Sequence, residues 1–294
     1  MTEQEFLKNI DMPDAAAQCY LSTLAAIRAD DEARRLLDSV TDRYDAAFAF
    51  DIHEITANAE TVAARSGISA FTVYGAFFTA MAPRLWKFYE QKGWGRDLFD
   101  RSLKDLTYKT SETRDLHGVW GVHCPTWYPN FFNGKRVAFE NLQFEEYVFH
   151  ADAPFEKDGY TVFPGDPVLN VHLPRTGNRL DYDGVRRAYA QAAEFFKEYF
   201  GKNRVVFRCS TWLFFERNFE VIPESANLAK FRRDYEMVQS GEYDDYSQVW
   251  RLFDVLYTGD VDALPEKSSL QRFYKDLIRK GEKTGWGRGL YIYK

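Results

Sequence analysis

The spacing of apolar residues divides the chain into a helical first part and a second part of mixed character. Up to about residue 116, apolar positions recur every three or four residues, which predicts successive amphipathic helices. The expected helices run from Pro13 to about Ala29, from Asp31 onward, over roughly residues 54–65, and over 97–108. A further helix after Ser66-Gly67 would place one apolar stripe on a single face: Phe71, Tyr74, Phe78, Met81 and Leu85. Pro83 is expected to kink that helix or to mark its boundary.

The pattern changes after the run of Gly, Pro and aromatic residues at 117–129. From Lys135 the apolar period shifts towards two, which predicts strands up to about Phe149. A strand over 167–173, a loop over 174–180 and a helix from Asp181 to about Tyr199 follow, and residues 204–209 predict the next strand. The helix would bury one stripe: Val185, Ala188, Tyr189, Ala192, Phe196 and Tyr199.

The rest of the chain is predicted to hold further strands and helices. We expect an apolar segment over 212–215, a strand over 231–238, helices over 248–256 and 270–280, and a last strand over 290–293. Ser268 or Ser269 is expected to cap the 270–280 helix. The glycine-rich run 285–289 forms either a lid or a turn into the last strand. The predicted fold class is α+β, with a helical domain over residues 1–130 and a mixed-sheet domain over 131–294.

Composition excludes several classes of function. The 294 residues carry a net charge of −6 and contain no block of Lys or Arg, so we expect neither nucleic acid nor an acidic membrane as a partner. Cys19, Cys124 and Cys209 are too few and too scattered for a disulfide framework and fit a reducing cytoplasm. The acidic N-terminus has no signal-peptide pattern, and the longest apolar run, residues 68–82, is too short to span a bilayer. Aromatic residues make up 17% of the chain, which suits a cleft for an organic ligand.

Six separated segments resemble one protein family. They are Leu142-Gln-Phe-Glu145, residues 166–174, Cys209-Ser-Thr-Trp-Leu213, residues 227–233, Ser269-Leu-Gln271 and Gly285-Trp-Gly287. In this order they resemble a bacterial family with an N-terminal N-acyltransferase helical domain and a C-terminal domain similar to the GNAT fold, the GCN5-related N-acetyltransferases. The resemblance implies a cytoplasmic enzyme that moves an acyl group from acyl-CoA or acetyl-CoA to a small amine by direct attack in a ternary complex. The alternative is a non-catalytic GNAT-like module that binds a ligand or a partner.

The resemblance also implies where CoA binds. The pantetheine would lie against the strand of Val171 and Leu173, and the phosphates near Arg175, Gly177 and Arg179. The usual GNAT loop has two glycines, whereas this loop has one. Asp181 and Asp183 are also expected to occupy the helix N-terminus, where their charge would repel a pyrophosphate.

Candidate chemistry centres on a few polar residues near the strand ends. Glu145 is the expected base, His172 a proton relay, and Ser210 the acid for the leaving thiolate, with Thr211 as a contact for pantetheine. Gln143, Trp212, Asn227, Arg233 and Gln271 are the expected acceptor contacts. Several have a structural alternative: Gln143 and Glu145 solvated, Ser210 and Thr211 as caps, His172 packed beneath a loop, and Asn227 closing a turn.

Two other chemistries have weaker support in the sequence. His117, His123 and Cys124 invite a zinc site, but no second ligand pair at the usual spacing completes it, so no metal is expected. A hydrolase with Cys124, Cys209 or Ser210 as nucleophile would lack a nucleophile elbow around it. No motif indicates the acceptor or the oligomeric state.

Overall fold

The computed structural model describes residues 1–293 and divides into two compact units. The first covers Met1–Ala138, and the second begins at Phe139. Among the described residues, no helix is both long enough and apolar enough to cross a membrane. Each unit is described separately below.

The first unit is helical, as predicted. Its helices are α1 (Glu3–Asn9), α2 (Asp14–Ala29), α3 (Asp31–Ala47), α4 (Ile52–Ser66), α5 (Ala70–Gln91), α6 (Arg96–Leu103), α7 (Asp105–His117) and α8 (Pro129–Phe132). Carboxylates begin two of them: Asp30 accepts hydrogen bonds from the amides of Glu32 and Ala33, and Asp51 from those of His53 and Glu54. Helix α5 is the most buried element, and it contacts α1, α2, α3 and α4.

One helix prediction in this unit was wrong in detail. At Pro83, which was expected to kink the helix or to mark its boundary, helix α5 continues without a boundary. The single helix predicted over 97–108 is two helices that meet at Lys104.

The second unit is built on a mixed sheet, which confirms the predicted α+β class. The strands are β1 (Arg136–Phe139), which contains the division between the units, β2 (Leu142–Val148), β3 (Phe155–Lys157), β4 (Tyr160–Val162), β5 (Pro167–His172), β6 (Val206–Thr211), β7 (Glu236–Glu242) and β8 (Gly285–Ile292). The five strands wholly within the unit lie in the order β2-β5-β6-β8-β7. Strands β5 and β6 are parallel, and the other pairs are antiparallel. Strands β3 and β4 form a separate hairpin.

One face of the sheet packs against helix α9 (Tyr182–Phe195). Alternation along the strands puts Phe144, Val171, Phe207 and Cys209 on this face. The ring of Tyr189, in α9, lies 4.7 Å from that of Phe207 and 5.2 Å from that of Tyr291. The predicted apolar stripe of the helix is therefore confirmed. The helix itself ends at Phe195, and a short helix, α10 (Lys197–Phe200), follows.

The opposite face is apolar at one end and polar at the other. Val168, Val206, Leu290 and Ile292 form a buried cluster there, beside the N-terminal halves of β5 and β6. Towards the C-terminal ends of the same strands, this face carries Glu145, Asn170, His172 and Arg208. This group of four side chains is called the polar strip below.

Several predictions for the last third of the chain were wrong. Residues 231–233, which were expected to begin a strand, belong to helix α11 (Asn227–Arg233), and the apolar segment 212–215 contains a 3-10 helix, Trp212–Phe214. The helix predicted over 248–256 shrinks to α12 (Trp250–Phe253). Helix α13 (Ser269–Arg279) is confirmed, with Ser268 as its cap.

The glycine-rich run is neither a lid nor a turn, because all of it lies within β8. Its glycines permit close packing. A Cβ atom on Gly285 would lie 2.4 Å from the carbonyl oxygen of Gly241, and one on Gly287 would lie 2.6 Å from that of Phe214. Glycine at these two positions therefore leaves room for close packing and does not make the segment flexible.

Candidate active site

The pairing between β5 and β6 stops before either strand ends. Their parallel pairing ends at Val171 opposite Cys209. Beyond that point His172 pairs with Gln143 of β2, while Ser210 and Thr211 pair with Arg288 and Gly287 of β8. The end of the β5–β6 pair, where the two strands no longer pair with each other, is called the opening below.

The polar strip lies beside this opening. The Oε2 atom of Glu145 is 2.9 Å from the Nε2 atom of His172. Glu145 is only 6% exposed, and its neighbour on the same face, Gln143, is 1% exposed. Both side chains are buried, which excludes the alternative that they are solvated. A short contact between an imidazole nitrogen and a carboxylate oxygen requires a proton between them, so the two groups share one.

Two further side chains extend the strip. The guanidinium of Arg208 donates to Oδ1 of Asn170 at 2.5 Å, and the amide nitrogen of Asn170 lies 3.2 Å from His172 Nε2. Arg208 also lies 4.8 Å above the ring of Tyr147. Burial lowers the pKa of Arg208, and the charge of Arg288 lowers it further. A line of polar contacts thus runs across three strands, from Arg208 to Glu145.

The sequence did not single out Asn170 or Arg208, although a signal was present. Asn170 is two residues before His172 and therefore shares its face, and Arg208 is two residues before Ser210. A polar residue repeated at a spacing of two in a strand that is otherwise apolar marks a polar face. Register across the sheet, which brings the pairs together, is not visible in the sequence.

The structure places the other expected catalytic and cofactor residues in different surroundings. Ser210 is exposed on the same face as Arg208, next to the opening. Val171 is buried on the opposite face, so only its backbone borders the strand edge. Leu173 follows the end of β5. Thr211 accepts a hydrogen bond from the amide of Leu213 and so caps the following 3-10 helix. This is the structural role that was the alternative to a contact with pantetheine.

Residues in and next to the loop between β5 and α9 bind other residues of the protein. Arg175 forms an ion pair with Asp254 at 3.0 Å, while Gly177 adopts a φ of +77° and Arg179 is exposed. Asp181 accepts from the amide of Gly184 and so caps α9, as expected. The helix N-terminus therefore already has a negative partner.

Most of the residues that were expected to contact the acceptor substrate instead bind or pack against other residues of the second unit. The amide of Gln271 is buried, accepts from the Lys267 amide and donates to the carbonyl of Leu252. Asn227 donates to the carbonyl of Leu180 at 2.7 Å and fastens the loop before α9. Trp212 packs edge-on against Tyr274. Arg233 is exposed in the last turn of α11, in a helix and not in the strand expected there. The structure thus places Gln143, Glu145, His172 and Ser210 on one face of the sheet, and it brings Glu145 into contact with His172.

A thiol nucleophile working with His172 does not fit this arrangement. Cys209 is opposite Val171 and faces α9, whereas His172 faces the other side of the sheet. Its side chain is fully buried, and burial raises the pKa of the thiol well above its usual range. Cys209 is therefore a packing residue. Cys124 lies in the first unit, near Glu112 and His123.

Comparison with protein families identifies both parts of the chain. Residues 137–291 match the GNAT-like C-terminal domain, and residues 1–134 match the N-acyltransferase N-terminal domain. The chain belongs to the family that combines these two domains, as the resemblance in the sequence implied. No curated protein sequence matches the chain.

Several solved acyltransferase structures share this fold. The chain is similar, with a TM-score of 0.75 and 19% identity, to an acyltransferase variant in complex with octanoyl-CoA; the match covers 99% of this chain and 87% of the other. An acyltransferase in complex with decanoyl-CoA and teicoplanin gives a TM-score of 0.74, with the same identity and coverage. A further acyltransferase complex with decanoyl-CoA gives 0.65 at 19% identity over the full length of both chains. At this level of identity the likeness establishes the fold.

Proposed function

We propose that the protein transfers an acyl group from acyl-CoA to the amino group of a small molecule. The observation that supports this proposal best is the contact between Glu145 and His172 beside the opening between β5 and β6. Membership of the N-acyltransferase family and a fold shared with acyltransferases that bind octanoyl-CoA, decanoyl-CoA and teicoplanin support the same chemistry.

In this proposal the pantetheine arm lies along the open edge of β5, near Val171 and Leu173. Amide groups of a pantetheine chain pair with a strand edge in the way that an added strand does. The thioester carbonyl then lies near the end of β5, and backbone N–H groups at that edge stabilise the oxyanion that develops on it. The phosphates lie towards Arg179, because Arg175 is paired with Asp254 and Asp181 occupies the start of α9.

The reaction is a direct attack in a ternary complex. The Glu145–His172 pair takes a proton from the ammonium group, and the neutral amine attacks the thioester carbon to form a C–N bond. The nitrogen of the tetrahedral intermediate loses its second proton to solvent, and collapse of the intermediate breaks the C–S bond and releases the thiolate of CoA. The exposed hydroxyl of Ser210 lies near the end of β6 and protonates the thiolate, and solvent restores its proton. The products are an amide and free CoA.

The remaining side chains of the strip position the base. Arg208 holds Asn170 through its Oδ1 atom, which directs the amide nitrogen of Asn170 towards His172. Gln143, buried on the same face as Glu145, is the expected neighbour of the acceptor. Trp212, Asn227, Arg233 and Gln271 have no part in this proposal, because their contacts are structural or their side chains face elsewhere.

The test combines binding and turnover. Calorimetric titration with acetyl-CoA, octanoyl-CoA and decanoyl-CoA measures donor binding. Release of CoA in the presence of a panel of small amines, including teicoplanin, then measures transfer. We expect binding of at least one donor and amide formation that falls by about 10²–10⁴-fold in Glu145→Gln. A folded protein that binds none of the donors at millimolar concentration contradicts the proposal.

The second candidate function is a non-catalytic module with a GNAT-like fold. It is favoured by the loop after β5, where Arg175 is paired with Asp254 and the N-terminus of α9 is capped by Asp181. It predicts that small ligands bind without acyl transfer. CoA release that depends on Glu145 excludes it.

A further inference from the structure

Three side chains with metal-binding atoms meet in the first unit. A carboxylate oxygen of Glu112, a ring nitrogen of His123 and the sulfur of Cys124 all lie within 4.8 Å of one another. Glu112 belongs to α7, and the other two residues lie in the segment that follows it. Glu112 is 3% exposed, and the other two are half-buried. The sequence pointed to His123 and Cys124 but missed Glu112, which lies eleven residues before His123.

The hydrogen bonds of His123 determine which ring nitrogen faces Glu112. Thr113 Oγ1 donates its single proton to the carbonyl of Lys109 at 2.7 Å and accepts from the backbone amide of His123. Its 3.0 Å contact with His123 Nδ1 must therefore use a proton carried by Nδ1. In the neutral imidazole the lone pair is then on Nε2.

That lone pair lies 3.6 Å from Oε1 of Glu112. At this separation the two atoms are too far apart for a direct hydrogen bond and close enough to be ligands of one cation. Nitrogen and oxygen ligands bound about 2.1 Å from a tetrahedral zinc ion are about 3.4 Å apart, close to the distance seen here. A metal-bound histidine also typically donates its other N–H to a fixed acceptor, the role that Thr113 has here.

The charges around the cluster are consistent with a bound cation. Asp105 and Glu112 are buried carboxylates on the same face of α7. Lys109 lies between them in the sequence, and its ammonium nitrogen is 2.8 Å from Glu112 Oε1. These three groups have a formal net charge of −1. A divalent metal together with the thiolate that it binds adds +1 and brings the sum to zero, which lowers the cost of burial.

We propose that Glu112, His123 and Cys124 bind a divalent transition metal, with Zn²⁺ the best match to one oxygen, one nitrogen and one sulfur ligand. Three protein ligands leave a fourth position for water. Lys109 and Thr113 are positioning residues: Lys109 orients the carboxylate of Glu112, and Thr113 fixes the ring of His123.

The test uses the full-length protein, stripped of metal and titrated with Co²⁺ and then with Zn²⁺. We expect one equivalent of Co²⁺ to give the thiolate-to-cobalt absorption band, and Zn²⁺ to abolish that band by displacement. Cys124→Ser is expected to lose the band, whereas the matched variant Cys19→Ser, which changes the other half-buried cysteine, keeps it. Thr113→Val, which removes the hydroxyl but preserves the shape, is expected to lower Zn²⁺ affinity by about 10–100-fold.

The titration of the wild-type protein tests the proposal even if a variant does not fold. A folded wild-type protein that binds neither ion stoichiometrically overturns the proposal and leaves an ion pair between His123 and Glu112. Retention of the sulfur band in Cys124→Ser overturns it as well. Circular dichroism of Thr113→Val must show unchanged helix content, so that lost affinity is assigned to His123 and not to unfolding.

Discussion

Glu145 and His172 lie on neighbouring antiparallel strands and are not directly opposite each other. The backbone register pairs Glu145 with Asn170 and His172 with Gln143, so the 2.9 Å contact between the two side chains runs diagonally across β2 and β5. A diagonal contact brings both groups towards the C-terminal end of β5. The pair thereby lies beside the point at which β5 and β6 stop pairing with each other.

If the two residues act as one base, their effects on turnover are not additive. We expect Glu145→Gln and His172→Gln each to lower kcat by about 10²–10⁴-fold, and the double variant to be no slower than the slower single variant. Glu146→Gln is the matched control, because the next residue of β2 faces the other side of the sheet. Effects that multiply in the double variant would show that the two side chains act separately.

Cys209 is expected to resist alkylation in the native protein. The thiol is completely buried, and burial raises its pKa, so neither access nor the thiolate form is available. Cys19, which is partly exposed, is expected to react first. Peptide mapping after brief treatment with iodoacetamide measures both rates. Labelling of native Cys209 faster than Cys19 would contradict its assignment as a packing residue.

The stability of the protein is expected to depend on pH through Asp234. Burial raises the pKa of this carboxyl group, and the hydroxyl of Tyr182 donates to it at 2.6 Å; burial also raises the pKa of Tyr182, to about 12. A raised pKa in the folded state means that the contribution of Asp234 to stability is complete below its pKa in the unfolded chain. That contribution is lost as pH rises through the folded value.

The variant Asp234→Asn keeps an acceptor for Tyr182 and removes the titration. The difference in free energy of unfolding, variant minus wild type, is therefore expected to increase with pH across the acidic range and then to level off. Urea unfolding at a series of pH values measures this difference. A difference that is constant with pH, or that decreases, would contradict the direction given for Asp234.

Periodicity predicted those parts of the fold in which local pattern and packing agree. Helices α2 to α5, the β5-α9-β6 order and the buried stripe of α9 follow from apolar spacing. The prediction failed at 231–238, where Phe231 and Tyr235 pack at helical spacing against Phe214 while the following residues pair with β8. A window that contains the end of a helix and the start of a strand has no single period.

For the site, the sequence identified types of residue but not their partners. Glu145 and His172 were proposed separately, and only the register of β2 against β5 brings them together. Gln271 and Trp212 were expected at the acceptor, but packing of α13 and hydrogen bonds to the backbone engage them elsewhere. Such long-range contacts depend on the whole fold, which a local motif does not encode.

The most direct test of the account is a crystal structure of the protein with a bound acyl-CoA, chosen as the donor that binds most tightly in calorimetry. The account predicts density for the pantetheine arm between the ends of β5 and β6, along residues 170–173 and 209–211. It also predicts the thioester within reach of the Glu145–His172 pair. Saturated crystals with the CoA bound elsewhere, and the gap between β5 and β6 filled only by water, would contradict it.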